Sequence, residues 1–244
     1  MAEQSATREE IKNALIVALD VPSYEDASAI VSELGDAVSF YKIGLELLFD
    51  GGLRLAHELR DAGKLVFLDM KLLDIGNTVE KAVRNIARLG VNYLTIHAVD
   101  GKTLRAAKEG KGASELKLLG VTVLTSLTKE DLAEQGISES PQELVLRRAR
   151  MAHTIGIDGV IASGLEARAI REAVGSDFTI ITPGIRPVGS AANDQVRAMT
   201  PRDAILAGAN HLVVGRPVLN APDRKMAALA IQDEIRDAFS TLKQ

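Results

Sequence analysis

Short runs of apolar, β-branched residues recur along the chain, and each run is followed by a stretch with helical spacing. Most runs are apolar at consecutive positions, which is typical of parallel strands covered on both faces. The pattern predicts strands at Leu15–Asp20, Ser39–Gly44, Leu65–Met70, Tyr93–Ala98, Leu118–Leu124, Gly159–Gly164, Thr179–Gly184 and His211–Arg216.

The segments between these runs predict helices. Tyr24–Leu34 and Val79–Leu89 each carry their apolar residues on one helical stripe. A helix commonly ends at a residue in the left-handed conformation, which glycine adopts most easily. Several predicted helical segments are followed by such a glycine, namely Gly63, Gly90, Gly156 and Gly208. Alternating strands and helices favour right-handed βαβ units around a parallel sheet.

The alternation and the length of 244 residues predict an α/β fold, a (β/α)8 TIM barrel that spans residues 1–244 as a single domain. The polar residues 1–12 predict a frayed N-terminal tail. A doubly wound sheet is the alternative, but it normally has a glycine-rich turn after the first strand, and the residues after Asp20 have none. Two connections exceed what a barrel turn needs, Thr125–Pro141 and Ile185–Thr200, and such loops often build the site.

Composition narrows the range of functions. The chain has no cysteine and only four dispersed histidines, which argues against disulfides, thiolate metal sites and a structural zinc site. A net charge of −4 and an aromatic content of 3% disfavour a nucleic-acid partner. No apolar run approaches the roughly 18 residues of a membrane span. With a polar N-terminus, these features predict a cytoplasmic protein without a membrane or nucleic-acid partner.

Charged residues cluster at the carboxyl ends of the first three predicted strands. Asp20 ends the first strand, Lys42 lies near the end of the second, and Asp69 and Lys71 end the third, with Asp74 just beyond. Residues two apart on an extended strand share a face, so Asp69 and Lys71 are predicted to point together into the barrel mouth. A lysine held beside a carboxylate is suited to protonate a carbanion. The alternative is a rim of solvated salt bridges.

The loops after the last two strands predict a phosphate site. Barrels often bind phosphate there, and this chain places Thr182–Pro187 and Val214–Pro217 at those positions. Glycine allows phosphate to approach backbone N–H groups, and arginine binds it through two parallel hydrogen bonds.

At these residues the chain resembles the orotidine 5′-phosphate decarboxylase family. The matching motifs are Ala18–Pro22, Tyr41–Gly44, Leu68–Val79, Val121–Ser126, Thr182–Pro187, Asp194-Gln195 and Leu212–Pro217. The resemblance implies a homodimeric carboxy-lyase that converts orotidine 5′-monophosphate (OMP) to UMP and CO2 in pyrimidine biosynthesis, with no cofactor and no metal.

The resemblance also implies residue roles. Lys71 protonates C6 of the ring, Asp69 lies by the departing carboxylate, and Lys42 and Asp74 complete the charge network. Substrate contacts are implied for Asp20, Lys42, Asp69, Ile75, Thr78, Thr125, Arg186, Gln195, Gly215 and Arg216. Of these, Asp20 and Lys42 reach the ribose, Thr125 the pyrimidine, and Arg186, Gln195, Gly215 and Arg216 the phosphate. Asp74 and Thr78 come from the partner subunit.

One position departs from the family pattern, because Gly76 stands where the family usually has proline. Metal-dependent sugar-phosphate enzymes of the same barrel group, such as keto-gulonate-phosphate decarboxylase and hexulose-phosphate synthase, have glycine near that point and remain an alternative. They usually place a metal-binding glutamate where this chain has Lys42, and a protonated lysine cannot bind magnesium. A non-catalytic nucleotide-binding barrel is the third possibility.

Overall fold

The predicted strands close into a ring. The computed structural model describes residues 6–187 and 199–243. Within those residues eight strands form a closed barrel in which each strand pairs in parallel with the next and the last pairs with the first. The strands are β1 (Leu15–Ala18), β2 (Phe40–Gly44), β3 (Leu65–Leu72), β4 (Tyr93–His97), β5 (Lys117–Val121), β6 (Gly159–Ile161), β7 (Thr179–Thr182) and β8 (His211–Val214). The predicted (β/α)8 barrel is confirmed, and the doubly wound alternative is wrong.

Helices surround the barrel. They are α1 (Arg8–Ala14), α2 (Tyr24–Leu34), α3 (Leu45–Leu47), α4 (Leu53–Asp61), α5 (Gly76–Ala87), α6 (Gly101–Lys111), α7 (Lys129–Glu134), α8 (Pro141–Ile155), α9 (Gly164–Val174), α10 (Pro201–Leu206), α11 (Arg216–Leu219) and α12 (Arg224–Leu242). The predicted helix Tyr24–Leu34 is confirmed, and Ser23 caps it by accepting the Asp26 N–H. The glycines predicted to follow helices all have positive φ.

The N-terminal prediction is wrong from residue 7 onward, because a capped helix replaces the expected frayed tail. The Thr7 hydroxyl accepts the Glu10 N–H at 3.1 Å, and the Glu10 carboxylate accepts the Thr7 N–H at 2.7 Å. This reciprocal arrangement satisfies N–H groups that otherwise lack partners at a helix start. Ile11 and Ala14 are buried, and the Asn13 carbonyl lies 2.7 Å from Nδ1 of His211 at the start of β8, so α1 packs at the amino ends of the strands.

Two apolar layers position the functional end of the barrel. One lies between the strands and the helices, and the other fills the barrel interior. In the interior, the rings of Phe40, Tyr93 and His211 contact one another at centroid distances of 5.4 to 5.7 Å. Because side chains fill this interior, polar chemistry is confined to the carboxyl ends of the strands.

The two long connections lie at that end. The first, residues 125–141, contains α7, whose start is capped by Thr128 and Asp131. The second includes residues 188–198, which lie outside the described part of the chain. Among the described residues, no helix is long and apolar enough to cross a membrane.

Candidate active site

Four charged side chains form a continuous network at the ends of β1, β2 and β3. Lys42 Nζ lies 2.8 Å from Asp20 Oδ1 and 3.5 Å from Asp69 Oδ2. Lys71 Nζ donates to the same Asp69 oxygen at 2.8 Å. The structure therefore brings together Asp20, Lys42, Asp69 and Lys71, as the sequence predicts.

The backbone conformation at Asp69 and Lys71 differs from the regular strand that the sequence predicts. Pairing advances four residues along β3, from Leu68 to Leu72, but only two along β4, from Leu94 to Ile96, so β3 bulges between them. Lys71 has φ of +49°, and it is the only non-glycine residue with positive φ in the described ranges. The regular alternation expected for Asp69 and Lys71 is thus wrong, although their side chains meet. Bulges beside active sites commonly re-aim a side chain in this way.

Thr95 on β4 connects both ends of the bulge, and the sequence analysis missed it. Its hydroxyl donates to Asp69 Oδ1 at 2.9 Å and accepts the Lys71 N–H, also at 2.9 Å. The available signal was that Thr95 is a polar residue within the largely apolar predicted strand Tyr93–Ala98.

Electrostatics keep Asp69 ionised. Burial opposes ionisation of this carboxyl, but the ammonium groups of Lys42 and Lys71, with hydrogen bonds from Lys71 and Thr95, hold the pKa of Asp69 below its ordinary value. Burial, followed by the nearby cations Lys71 and Arg148, lowers the pKa of His97. His97 is therefore favoured as the neutral imidazole at neutral pH.

Gly44 leaves room for the ion pair between Asp20 and Lys42. A Cβ at position 44 would lie 3.0 Å from both Asp20 Oδ1 and Lys42 Nζ, closer than ordinary van der Waals contact. The Lys42 side chain is 8% exposed, so it has little space to retreat. The glycine therefore allows β2 to pass close behind two members of the network.

A cavity of about 480 Å³ at the barrel mouth is lined by this network and by the segments that follow β5, β7 and β8. The segments after β7 and β8 contribute Arg186, Gly215 and Arg216, and the segment after β5 contributes Thr125. The lining also includes the apolar side chains of Phe67, Val121, Val123, Ile161 and Val213. The cavity thus combines the carboxylate–ammonium network, apolar side chains and two arginines.

Hydrogen bonds from its backbone and its side chain hold Arg186 at the cavity. It is buried, its backbone N–H donates to the Met199 carbonyl at 2.8 Å, and its Nη1 donates to the Ile185 carbonyl at 2.8 Å. These hydrogen bonds fix the backbone segment that contains Arg186.

Other predicted site residues lie elsewhere. The cavity-lining set within residues 6–187 and 199–243 does not include Asp74, Ile75 or Thr78. Asp74 is exposed and its carboxylate accepts the Ile75 N–H at 2.6 Å, while Ile75 is 72% exposed. Gln195 and Asp194 fall outside the described residues. Within those ranges, no group of three or more His, Asp or Glu side chains is placed to hold a metal ion.

Comparison with known proteins agrees with this architecture. A model of the orotidine 5′-phosphate decarboxylase / HUMPS family matches residues 13–231. The chain is 39% identical to an orotidine 5′-phosphate decarboxylase from Lactobacillus acidophilus, with a TM-score of 0.81 over 91% of this chain and 99% of that one. It is 32% identical to an uncharacterized conserved protein from Geobacillus kaustophilus, with a TM-score of 0.77 over 91% and 99% of the two chains. The chain belongs to the orotidine 5′-phosphate decarboxylase / HUMPS family.

Proposed function

We propose that this protein decarboxylates OMP to UMP and CO2, the last step of pyrimidine nucleotide synthesis, without a cofactor. The observation that carries the proposal is that the network of Asp20, Lys42, Asp69 and Lys71 lines one cavity together with two arginines, Arg186 and Arg216. A nucleotide monophosphate has the matching polarity, with a polar ring at one end and a phosphate dianion at the other. Family membership and a decarboxylase relative at 39% identity support the same assignment.

In the proposed reaction the phosphate binds Arg186, Arg216 and the Gly215 backbone, and Thr125 contacts the pyrimidine edge. The C6 carboxylate then lies against Asp69, an ionised group of the same charge, which disfavours the bound carboxylate. The bond between C6 and the carboxylate breaks, CO2 leaves, and the electron pair remains on C6. The Lys71 ammonium donates a proton to C6, giving UMP, and the neutral amine is reprotonated from solvent.

The surroundings favour this proton transfer. Lys71 Nζ is held 2.8 Å from Asp69 Oδ2, so the ammonium is in place before the carbanion forms. The apolar wall reduces the water near the reacting ring, which strengthens the attraction between the ammonium and the developing negative charge. Lys42 contacts Asp20 at 2.8 Å and Asp69 at 3.5 Å, so this second ion pair supports the position of Asp69. In the proposed complex, Asp20 and Lys42 bind the ribose.

The metal-dependent alternative is less well supported. Its chemistry needs carboxylate oxygens that are free to bind a divalent cation. In this chain Asp20 and Asp69 are each within 2.8 Å of a lysine ammonium, and Lys42 stands where a glutamate ligand is expected. A cation would therefore have to displace ammonium groups already bound to those oxygens.

We also propose that the active form is a homodimer in which Asp74 and Thr78 reach the partner's cavity. Large apolar side chains are exposed after the neighbouring strands β2 and β3, including Phe49 at 86% and Leu73 at 54%. Exposed apolar groups of this size commonly mark interfaces. Asp74 and Ile75 lie in the same exposed segment.

The cytoplasmic location stays a prediction.

The test is to follow OMP absorbance after adding purified protein in EDTA, with a parallel reaction containing magnesium. The proposal expects the same rate of OMP loss in both, with UMP as the product. Turnover that occurs only with magnesium would favour the metal-dependent alternative. UMP binding without OMP turnover in either buffer would indicate the non-catalytic barrel.

A further inference from the structure

Thr95 lies at the one place where β3 and β4 lose register. It is fully buried, and it is the single β4 residue between the paired positions Leu94 and Ile96. Opposite it, β3 places the three residues 69–71. Thr95 therefore faces the bulge that carries Asp69 and Lys71.

The hydroxyl of Thr95 has a fixed orientation. An ionised carboxylate only accepts hydrogen bonds, so the hydroxyl proton must point to Asp69 Oδ1, 2.9 Å away. An oxygen lone pair is then directed at the Lys71 N–H, also at 2.9 Å. One side chain thus holds the carboxylate of Asp69 and the backbone of Lys71 at the same time.

The Lys71 backbone needs such a contact. A non-glycine residue with φ of +49° is sterically disfavoured and persists only where its surroundings enforce it. The ammonium end of the Lys71 side chain is held by Asp69 at 2.8 Å. The hydrogen bond from the Lys71 N–H to Thr95 holds the backbone end, from which the direction of the side chain is set.

We propose that Thr95 is a positioning residue for the decarboxylation, acting through the Lys71 backbone and the Asp69 carboxylate. The inference rests on the proposed function and deepens it. Without the hydroxyl, the bulge relaxes toward extended backbone and Lys71 Nζ loses its alignment with the reacting carbon. The phosphate and ribose contacts come from other strands, so binding of the nucleotide is retained.

The test compares Thr95→Val, which is nearly isosteric and lacks the hydroxyl, with Thr95→Ser, which keeps it. Thr95→Val is expected to lower kcat for OMP roughly 10- to 100-fold, the scale of hydrogen bonds to charged groups, with little change in UMP affinity. Thr95→Ser is expected to recover most of kcat. A crystal structure of Thr95→Val is expected to show Lys71 away from positive φ.

Thr103→Val is the matched control. Thr103 is also buried, and its hydroxyl donates to the Asp100 carboxylate at 2.9 Å, on α6 and outside the cavity lining. It is expected to lower stability without lowering kcat. If Thr95→Val does not fold, Thr95→Ala replaces it in the same comparison with Thr95→Ser.

Several results would overturn the proposal. They are a Thr95→Val kcat equal to that of the wild type, an equal loss in Thr95→Ser, or a loss of UMP affinity that matches the loss of kcat. A wild-type protein that does not turn over OMP would instead contradict the proposed function. In that case the Lys71 φ in Thr95→Val still tests whether the hydroxyl holds the bulge.

Discussion

Two lysines compete for one carboxylate oxygen, and their surroundings give them different roles. Lys42 is almost wholly buried, and its ammonium lies 2.8 Å from Asp20 Oδ1. Lys71 contacts Asp69 at 2.8 Å, and its side chain keeps four times the fractional exposure of Lys42, 32% against 8%. A proton donor must be reprotonated from solvent after each turnover, so the greater exposure of Lys71 favours Lys71 over Lys42 for the proposed proton transfer.

Replacing Lys71 separates chemistry from binding. Lys71→Ala is expected to lower kcat for OMP roughly a thousandfold or more, because general-acid catalysis is lost, while affinity for UMP stays near the wild-type value. Single-turnover kinetics and UMP titration measure the two quantities. A well-folded Lys71→Ala protein with near-normal kcat would exclude Lys71 as the proton donor.

Residue identity was easier to predict from the sequence than backbone geometry. Strand ends and residue types sufficed to place Asp20, Lys42, Asp69 and Lys71 together, because parallel strands end at the same rim. The positive φ of Lys71 and the role of Thr95 depend on the β3–β4 bulge. A bulge reflects pairing between distant segments, and local periodicity carries no record of it.

At the scale of elements, the two arginines and the charged network come from different segments of the chain. The arginines follow β7 and β8, whereas Lys42, Asp69 and Lys71 lie near the ends of β2 and β3. In the proposed reaction, binding energy from the phosphate can therefore be used to hold the ring against Asp69.

Removing one phosphate contact tests this separation. Arg216→Ala is expected to lower kcat/KM for OMP roughly 100-fold, the scale of a charge-assisted bidentate contact, and to affect orotidine without phosphate far less. Arg236→Ala serves as the control, because Arg236 is an exposed arginine on α12 paired with Asp233. Equal losses on both substrates would show that Arg216 does not bind the phosphate.

Element boundaries show where sequence patterns succeed. The strands were predictable because each is a dense apolar run, whereas α1 was missed because its seven residues contain only two apolar positions, Ile11 and Ala14. The departure at Gly76 also has a structural explanation. Gly76 is the first residue of α5, a position that proline tolerates well, and an added Cβ there meets only Ala106 at 3.5 Å. The backbone at this position therefore accommodates either residue type.

For the whole molecule, the exposed segment after β3 is the feature that the barrel alone does not explain. Leu73 and Ile75 expose more than half of their side chains beside Asp74, on the rim that also carries the network. A two-fold axis through this rim would cover these apolar groups and exchange the two Asp74 carboxylates reciprocally. Each cavity would then combine Lys71 of its own chain with Asp74 of the partner subunit.

Mixing subunits tests that exchange. Lys71→Ala and Asp74→Ala are each expected to be nearly inactive, and the two chains are unfolded together at equal concentration and refolded. Random pairing makes about half of the dimers mixed, and in each mixed dimer one site has both lesions while the other has neither, so roughly a quarter of all sites recover. Mass spectrometry of intact dimers confirms that subunits have exchanged, and each variant refolded alone gives the baseline. If Asp74 serves its own chain, every site keeps one lesion, and exchanged dimers stay at that baseline.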